Sequence, residues 1–208
     1  MKITILGATG SVGQELVSQA LDAGHTVTVL VRNPEKLGSV TSRVTTVQGD
    51  VTDLHAMSRA ITGADAVLST LGHSKNSPND VLAVAASNAI TVMRQNNVKR
   101  LVVLANTALP DTGDKPTFGQ RFQGTMMGMV MGAIVRDHTA QAHLIAESGL
   151  DWTVVRAPIL ANGPRSKYRV GQLNGEASSR ITRANVADFM LTIAGNDTYV
   201  RTLPVVSQ

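Results

Sequence analysis

Glycines at positions 7, 10 and 13 constrain this chain more than any other feature, because they follow a short apolar run and open an apolar-periodic segment. Lys2-Ile3-Thr4-Ile5-Leu6 reads as a strand, and Val12, Leu16, Val17, Ala20 and Leu21 then share one face at helical spacing until Gly24 ends the pattern. A strand, a glycine turn and a helix in that order let the backbone turn sharply, approach a diphosphate closely and aim free amides at it. The turn is therefore expected to hold the pyrophosphate of a nicotinamide dinucleotide through Gly7, Thr9, Gly10, Ser11, Val12 and Gly13. The plainer alternative is a glycine-rich turn between strand and helix that binds nothing.

Beyond the turn, short apolar runs alternate with longer helical patterns, which is how a parallel sheet with covering helices is written in sequence. Strands are expected at Thr26–Val31, Val44–Val47, Ala66–Thr70, Arg100–Leu104, Trp152–Arg156 and Leu203–Val206. Helices are expected just beyond Arg32, where Asn33 caps and Pro34 takes the first position, and from Asp53 with Leu54, Met57, Ala60 and Ile61 inward. Further helices are expected after a capping Asp80, from Asp137 to Ser148, and over Ala184–Ala194. The fold class is α/β, a Rossmann-type doubly wound parallel sheet flanked by helices, with a small substrate-side elaboration toward the C-terminus at about residues 107–180.

With 208 residues, 43% of them hydrophobic, the chain is expected to form one domain, residues 1–208. The absence of cysteine removes disulfides, thiolate metal sites and cysteine nucleophiles, so no metal is expected and a reducing, cytoplasmic setting is the default. Met1-Lys2 runs straight into the first strand, so no signal peptide is expected, and the apolar stretch Gly124–Val135 is shorter than the ~20 residues a bilayer requires. The net charge of +4 is spread along the chain and only 3% of residues are aromatic, which argues against a nucleic-acid partner and suits an anionic small ligand.

The choice of dinucleotide turns on the end of the second strand, where an NAD site usually places a carboxylate to accept from the ribose 2′-hydroxyl. Arg32 stands there instead, and a guanidinium can grip a 2′-phosphate, so NADP(H) is the expected cofactor. Asn33 and Lys36 can add donors, and Asp50 is placed to accept from the adenine amino group. Each has a plainer reading: Arg32 as a solvated strand-end charge, Asp50 as a turn-forming aspartate.

Several further elements carry a resemblance to the atypical short-chain dehydrogenase/reductase group that contains the NmrA-like proteins and the biliverdin-reductase-B (flavin reductase) family. They are Gly7-Ala8-Thr9-Gly10-x-x-Gly13, Val29-Leu30-Val31-Arg32, Gly49-Asp50-Val51, Leu71-Gly72, Asp137-His138, Glu147-Ser148-Gly149-Leu150 and Arg156-Ala157-Pro158. Ile181-Thr182-Arg183-Ala184-Asn185-Val186-Ala187 is similar to an I-S-R-x-D-V-A element of the group, with Asn185 where aspartate is common. The resemblance implies NADPH across the carboxyl ends of the strands, in contact with Val51, and the nicotinamide near Leu71, Gly72, Thr107, His138 and Pro158.

The tyrosine with a lysine four residues on, which polarises the carbonyl in most short-chain dehydrogenases, is absent: Tyr168 and Tyr199 are followed at that spacing by Gln172 and Leu203. Thr107, which matches a serine position of the resembled family, and His138 are the candidate catalytic residues. Either can equally be structural, Thr107 capping a loop and His138 opening a helix. Ile159 stands where the biliverdin-reductase-B family has a histidine, which counts against tetrapyrrole reduction. Flavins and quinones accept hydride at a conjugated centre and can take their proton from water, so a site without a strong acid can still reduce them. The expected function is an NADPH-dependent oxidoreductase acting on a flavin, quinone or similar conjugated acceptor. The alternative is a non-catalytic NADP(H)-sensing regulatory protein of NmrA-like type, and the chain is expected to act as a monomer or homodimer. Between Gly119 and Val135, glycines at every fourth position among methionines suggest either a substrate cover or subunit contact, or a weak core helix.

Overall fold

A strand forms at each of the seven expected places in the computed structural model, which describes residues 1–74, 77–115, 117–119, 132–174 and 177–208. The chain runs β1 (Lys2–Leu6), α1 (Ser11–Asp22), β2 (Thr26–Val31), a 3-10 segment (Pro34–Arg43), β3 (Thr45–Gln48), α2 (Leu54–Ile61), β4 (Ala66–Ser69), α3 (Val81–Gln95) and β5 (Arg100–Asn106). It continues through α4 (Gly132–Ala146), β6 (Asp151–Ala157), β7 (Ile159–Ala161), β8 (Arg169–Gly171), β9 (Arg180–Thr182), α5 (Arg183–Ala194) and β10 (Val205–Ser207).

The main sheet is ordered β3-β2-β1-β4-β5-β6-β10-β8, parallel throughout except for β8, which pairs antiparallel with β10 at the edge. The connection from β1 leads outward to β2 and that from β4 to β5, so the order reverses between neighbouring β1 and β4. A crevice at the carboxyl ends of these two strands follows from that reversal.

Alternation along the strands feeds two cores. Ile3, Ile5, Val27 and Val29 face α1 and α5, meeting Leu16, Val17, Phe189, Met190 and Ile193. Leu6, Leu30, Val67, Leu101 and Trp152 face α2, α3 and α4, meeting Met57, Ile61, Ala89, Met93 and Ile145. Thr4 is buried on the polar minority of β1 and is satisfied by donating its hydroxyl to the Ala60 carbonyl at 2.6 Å.

The local signals hold unevenly. Gly24 and Gly63 follow α1 and α2 with φ of +76° and +78°, as helix-ending glycines do, and the Asp53 carboxylate accepts from the His55 and Ala56 amides as an N-cap. Asn33 occupies the cap position but its side chain makes no capping bond, and the segment beyond it is 3-10 with a break at Gly38 (φ +60°) rather than a continuous helix. Asp80 also fails to cap α3: the carboxylate that accepts from the Leu82 and Ala83 amides, both at 2.9 Å, is that of Asp137, 55 and 54 residues away. The helix expected from Asp137 to Ser148 runs instead from Gly132 to Ala146. Three short strands, β7, β8 and β9, lie in a stretch read only as an elaboration; three residues are too few to show a period. The methionine-glycine segment lies mostly outside the described residues. Among the described residues, no helix is long and apolar enough to cross a membrane.

Candidate functional site

The glycine turn sits at the reversal point, and two of its glycines are there because nothing larger fits. Gly7 has φ of +83°, and a Cβ on it would lie 2.9 Å from the Thr70 carbonyl carbon and 3.0 Å from the Leu71 nitrogen, both backbone atoms beyond β4. A Cβ on Gly13 would overlap the Gly7 carbonyl oxygen, so the first turn of α1 packs directly on the loop it leaves. The Gly10 amide donates to Gly7 oxygen at 2.9 Å and tightens the turn, while Thr70 donates its hydroxyl to the Leu6 and Gly7 carbonyls, each at 3.2 Å. α1 then begins at Ser11 with no capping side chain and no acidic residue in its first turn. Its leading amides have no acceptor within the helix, and its positive dipole end is left uncompensated. These residues fit a diphosphate: the approach is bare, the donors are free and the local potential is positive.

On the far side of β1, Arg32 and Asp50 come together at the ends of β2 and β3. Their side chains are 60% and 40% exposed, and Nε lies 3.9 Å from Oδ2, a loose ion pair. Asp50 Oδ1 accepts from the Thr52 amide at 2.9 Å and its hydroxyl at 2.8 Å, so the turn-forming role is present. Partial burial pushes the Asp50 carboxyl upward, but the two Thr52 hydrogen bonds and the Arg32 charge outweigh it and hold the group below its ordinary value. Asn33 and Lys36 are exposed beside this pair, and Val51, half-buried, has its carbonyl held by the Asn88 side chain at 3.0 Å.

The residues that the resemblance assigns to the nicotinamide follow the carboxyl ends of the strands or lie on α4. Leu6 pairs with Ser69 and Asn106 with Ala157, which brings the segments after β1, β4, β5 and β6 to one rim. Half-buried Leu71, exposed Gly72, half-buried Thr107 and half-buried Pro158 follow those strands in turn. Thr107 sits where Asn106 makes a tight turn, its Oδ1 accepting from the Ala108 amide at 2.9 Å. His138 lies midway along α4, beside His73 of the segment that follows β4. Its Nδ1 is closed off from solvent and has no hydrogen-bond partner among the described residues.

Two neighbours of His138, His73 and Gln141, went unread in the sequence. His73, two residues beyond Leu71, has its ring centroid 6.3 Å from that of His138, and its Nε2 lies 2.9 Å from Asp137 Oδ2, close but off the hydrogen-bond direction. Burial lowers the His138 pKa, the His73 charge lowers it further, and Asp137 and Gln141 oppose without prevailing. His138 is thus neutral at neutral pH.

A buried ion pair fixes the loop carrying Thr107. Arg156, fully buried, forks onto Asp114 with Nη1–Oδ2 and Nη2–Oδ1 distances of 2.5 and 2.8 Å, and also donates to the Leu109 and Leu203 carbonyls. Burial pushes the Asp114 carboxyl upward, but the Arg156 hydrogen bonds and charge, with amides from Asp111 and Leu173, hold it below its ordinary value. The tyrosines are placed elsewhere. Tyr168 donates to Asp188 at 2.9 Å, and burial with that carboxylate raises its pKa, which unfits the phenol as an acid.

Residues 7–197 match the model of a family described as NAD(P)H-binding. A (4-alkanoyl-5-oxo-2,5-dihydrofuran-3-yl)methyl phosphate reductase of Streptomyces griseus is 33% identical over 184 residues, 84% of this chain and 56% of the relative. A photosystem II assembly factor of Cyanophora paradoxa is 26% identical, over 93% of this chain and 56% of the relative. The chain thus spans a little over half the length of these curated relatives. Among solved structures, a short-chain dehydrogenase/reductase of Veillonella parvula in complex with NADP superposes with a TM-score of 0.82 at 20% identity, over 100% of this chain and 94% of that one. An anaerobillin reductase of Escherichia coli O157:H7 superposes with a TM-score of 0.83 at 20% identity, over 100% and 97%. At that identity these two speak to the fold.

Proposed function

The chain belongs to the NAD(P)H-binding family, and from that premise we propose that it is an NADPH-dependent reductase of a conjugated acceptor, a flavin, a quinone or an activated enone. The observation that carries the reading is the protonation chemistry at the rim. Burial and the neighbouring His73 hold the His138 imidazole below its ordinary pKa, Thr107 is a weak acid, and Tyr168 is committed to Asp188. A site so equipped suits an acceptor that needs orientation and water exclusion more than a strong proton donor.

When bound, the reduced nicotinamide supplies the hydride. The chain's own residues divide the remaining work. Gly7, Gly10, Gly13 and the first amides of α1 hold the diphosphate, Arg32 with Asn33 and Lys36 grips the 2′-phosphate, and Asp50 and Val51 border the adenine. Leu71, Gly72 and Pro158 wall the ring, and Thr107 and His138 orient the acceptor's oxygen or nitrogen. The compound in the name of the Streptomyces relative supports the acceptor class: a 2,5-dihydrofuran ring bearing a 5-oxo and a 4-alkanoyl group has its double bond conjugated to carbonyls.

NADPH oxidation followed by absorbance with FMN, riboflavin, quinones and dichlorophenolindophenol tests the proposal. Turnover with at least one acceptor is expected. Tight NADP(H) binding with no turnover on any of them would instead establish a non-catalytic NADP(H)-sensing role, a reading the name of the assembly-factor relative favours. The preference for NADPH is tested by titrating both dinucleotides against the parent and Arg32→Ala. An unchanged ratio removes Arg32 from the 2′-phosphate.

A further inference from the structure

The small parallel sheet formed by β7 and β9 pairs Ile159 with Arg180, Leu160 with Ile181 and Ala161 with Thr182. What it delivers lies just past its end. Thr182 caps α5 through its hydroxyl, which accepts from the Asn185 amide at 3.3 Å, so Arg183 is the first residue of that helix. Its guanidinium crosses to α1: Nε donates to Ser11 Oγ at 2.9 Å, and Nη1 donates to Asn162 Oδ1 at 2.6 Å, Asn162 being the residue after β7. A side chain 172 positions away in sequence thus touches the first residue of the helix whose amides face the diphosphate.

That placement is electrostatically adverse for a residue serving only to join α5 to α1. Arg183 lies in the first turn of one helix and against the first residue of another, at the positive end of both dipoles. Neither first turn contains an acidic residue, and among the described residues no carboxylate lies within 4 Å of the guanidinium. Its two hydrogen-bond partners are neutral oxygens, and Nη2 makes no hydrogen bond among the described residues. A cation surrounded by positive potential gains most from an anion.

We propose that Arg183 is a binding residue for the diphosphate bridge of the dinucleotide, closing the glycine turn from the C-terminal part of the chain. The inference rests on the dinucleotide reading above and adds to it a charged contact independent of the 2′-phosphate. Arg183 and Arg32 therefore serve different parts of the ligand: one meets a group common to NADH and NADPH, the other a group found only in NADPH.

Equilibrium titration of NADPH, NADH and 2′-AMP, with thermal unfolding of the ligand-free protein, separates these roles. Arg183→Gln is expected to weaken NADPH and NADH by the same factor, about tenfold, and to leave 2′-AMP, which lacks the bridge, unaffected. The ligand-free Tm of Arg183→Gln is expected to equal or exceed that of the parent, because a cation has left two helix N-termini. Arg183→Lys, which keeps the charge and loses the fork, is expected to fall between parent and Gln variant. Parental affinity for both dinucleotides, an altered NADPH-to-NADH ratio, or a lowered ligand-free Tm with 2′-AMP binding equally weakened would overturn the inference. A parent that binds neither dinucleotide overturns the cofactor reading and this inference with it. A parent that binds both, beside an indifferent Arg183→Gln, overturns this inference alone.

Discussion

The turn after β1 and the loop after β5 stand on the same rim and hold their shapes by opposite means. The first is made of main chain: glycines whose missing Cβ atoms let one backbone lie on another, and helix amides with no side chain to cap them. The second is held by long-range side-chain contacts, with Arg156 gripping Asp114 from beneath and the Asp137 carboxylate of α4 accepting from the leading amides of α3. A backbone-built site fails when atoms are added; an ion-paired site fails when one partner is taken away.

The largest effect is expected from removing a partner on the second side. Arg156→Met leaves Asp114 buried without its counter-ion and should lower unfolding free energy by about 3–5 kcal/mol in denaturant titration. A cost under ~1 kcal/mol would mean that the loop does not depend on the pair. Next comes the addition of a single methyl on the first side. Gly13→Ala, forced onto the Gly7 carbonyl, should cost about 1–3 kcal/mol and abolish tight dinucleotide binding, whereas alanine at Gly72, where a Cβ would meet nothing within 4 Å, should be borne without loss of stability. Equal effects at the two glycines would refute the backbone argument.

Exchanging the two candidate caps of α3 sharpens the contrast. Asp137→Ala should destabilise by about 1–2 kcal/mol, since two amides lose a buried acceptor, while Asp80→Ala should be silent by thermal unfolding.

Smaller still is the acid response. The folded chain holds His138, Asp50 and Asp114 below their ordinary values, so unfolded chains take up those protons first. Stability from His138 is complete above its ordinary value near 6.5 and is lost as pH falls through the lowered one; that from the aspartates is lost further down, below about 4. His138→Gln should flatten the upper part of the stability curve and leave the lower part intact. The least effect is assigned to Arg32→Ala, whose exposed 3.9 Å pair with Asp50 should be worth under ~0.5 kcal/mol in stability even while cofactor preference shifts.

The same contrast decides what could be read from the chain alone. Gly7 and Gly13 are legible because the positive φ of the one and the packing of the other on the Gly7 carbonyl arise within seven residues, while the approach of Thr70 and Leu71 to Gly7 left no local mark. Strands β1, β2, β4, β5 and β6 are legible because burial on both faces leaves an apolar run, whereas β3, at the sheet's edge, buries only Val47. Asp137 was read as the opening of its own helix, and nothing in its neighbours says that its carboxylate caps another helix more than 50 residues earlier. Arg156 looked like a strand-end arginine within a recognisable tripeptide, and its partner lies 42 positions away in a loop that holds one other aspartate, Asp111. Arg183 sat inside a recognised element and acquired a place only when β7 and β9 paired. Local spacing records local geometry; contacts closed by the sheet leave no period to find.

The open margins of the main sheet carry a further consequence. It ends on one side in β3, four residues long, and on the other in β8, three residues long, turned antiparallel to its neighbour and bearing an exposed Arg169. Each margin offers a foreign strand only a few main-chain partners, and one offers them beside a positive charge. The central strands, apolar enough to stack into fibrils if laid bare, are kept from recruiting other chains by the brevity of the strands that flank them.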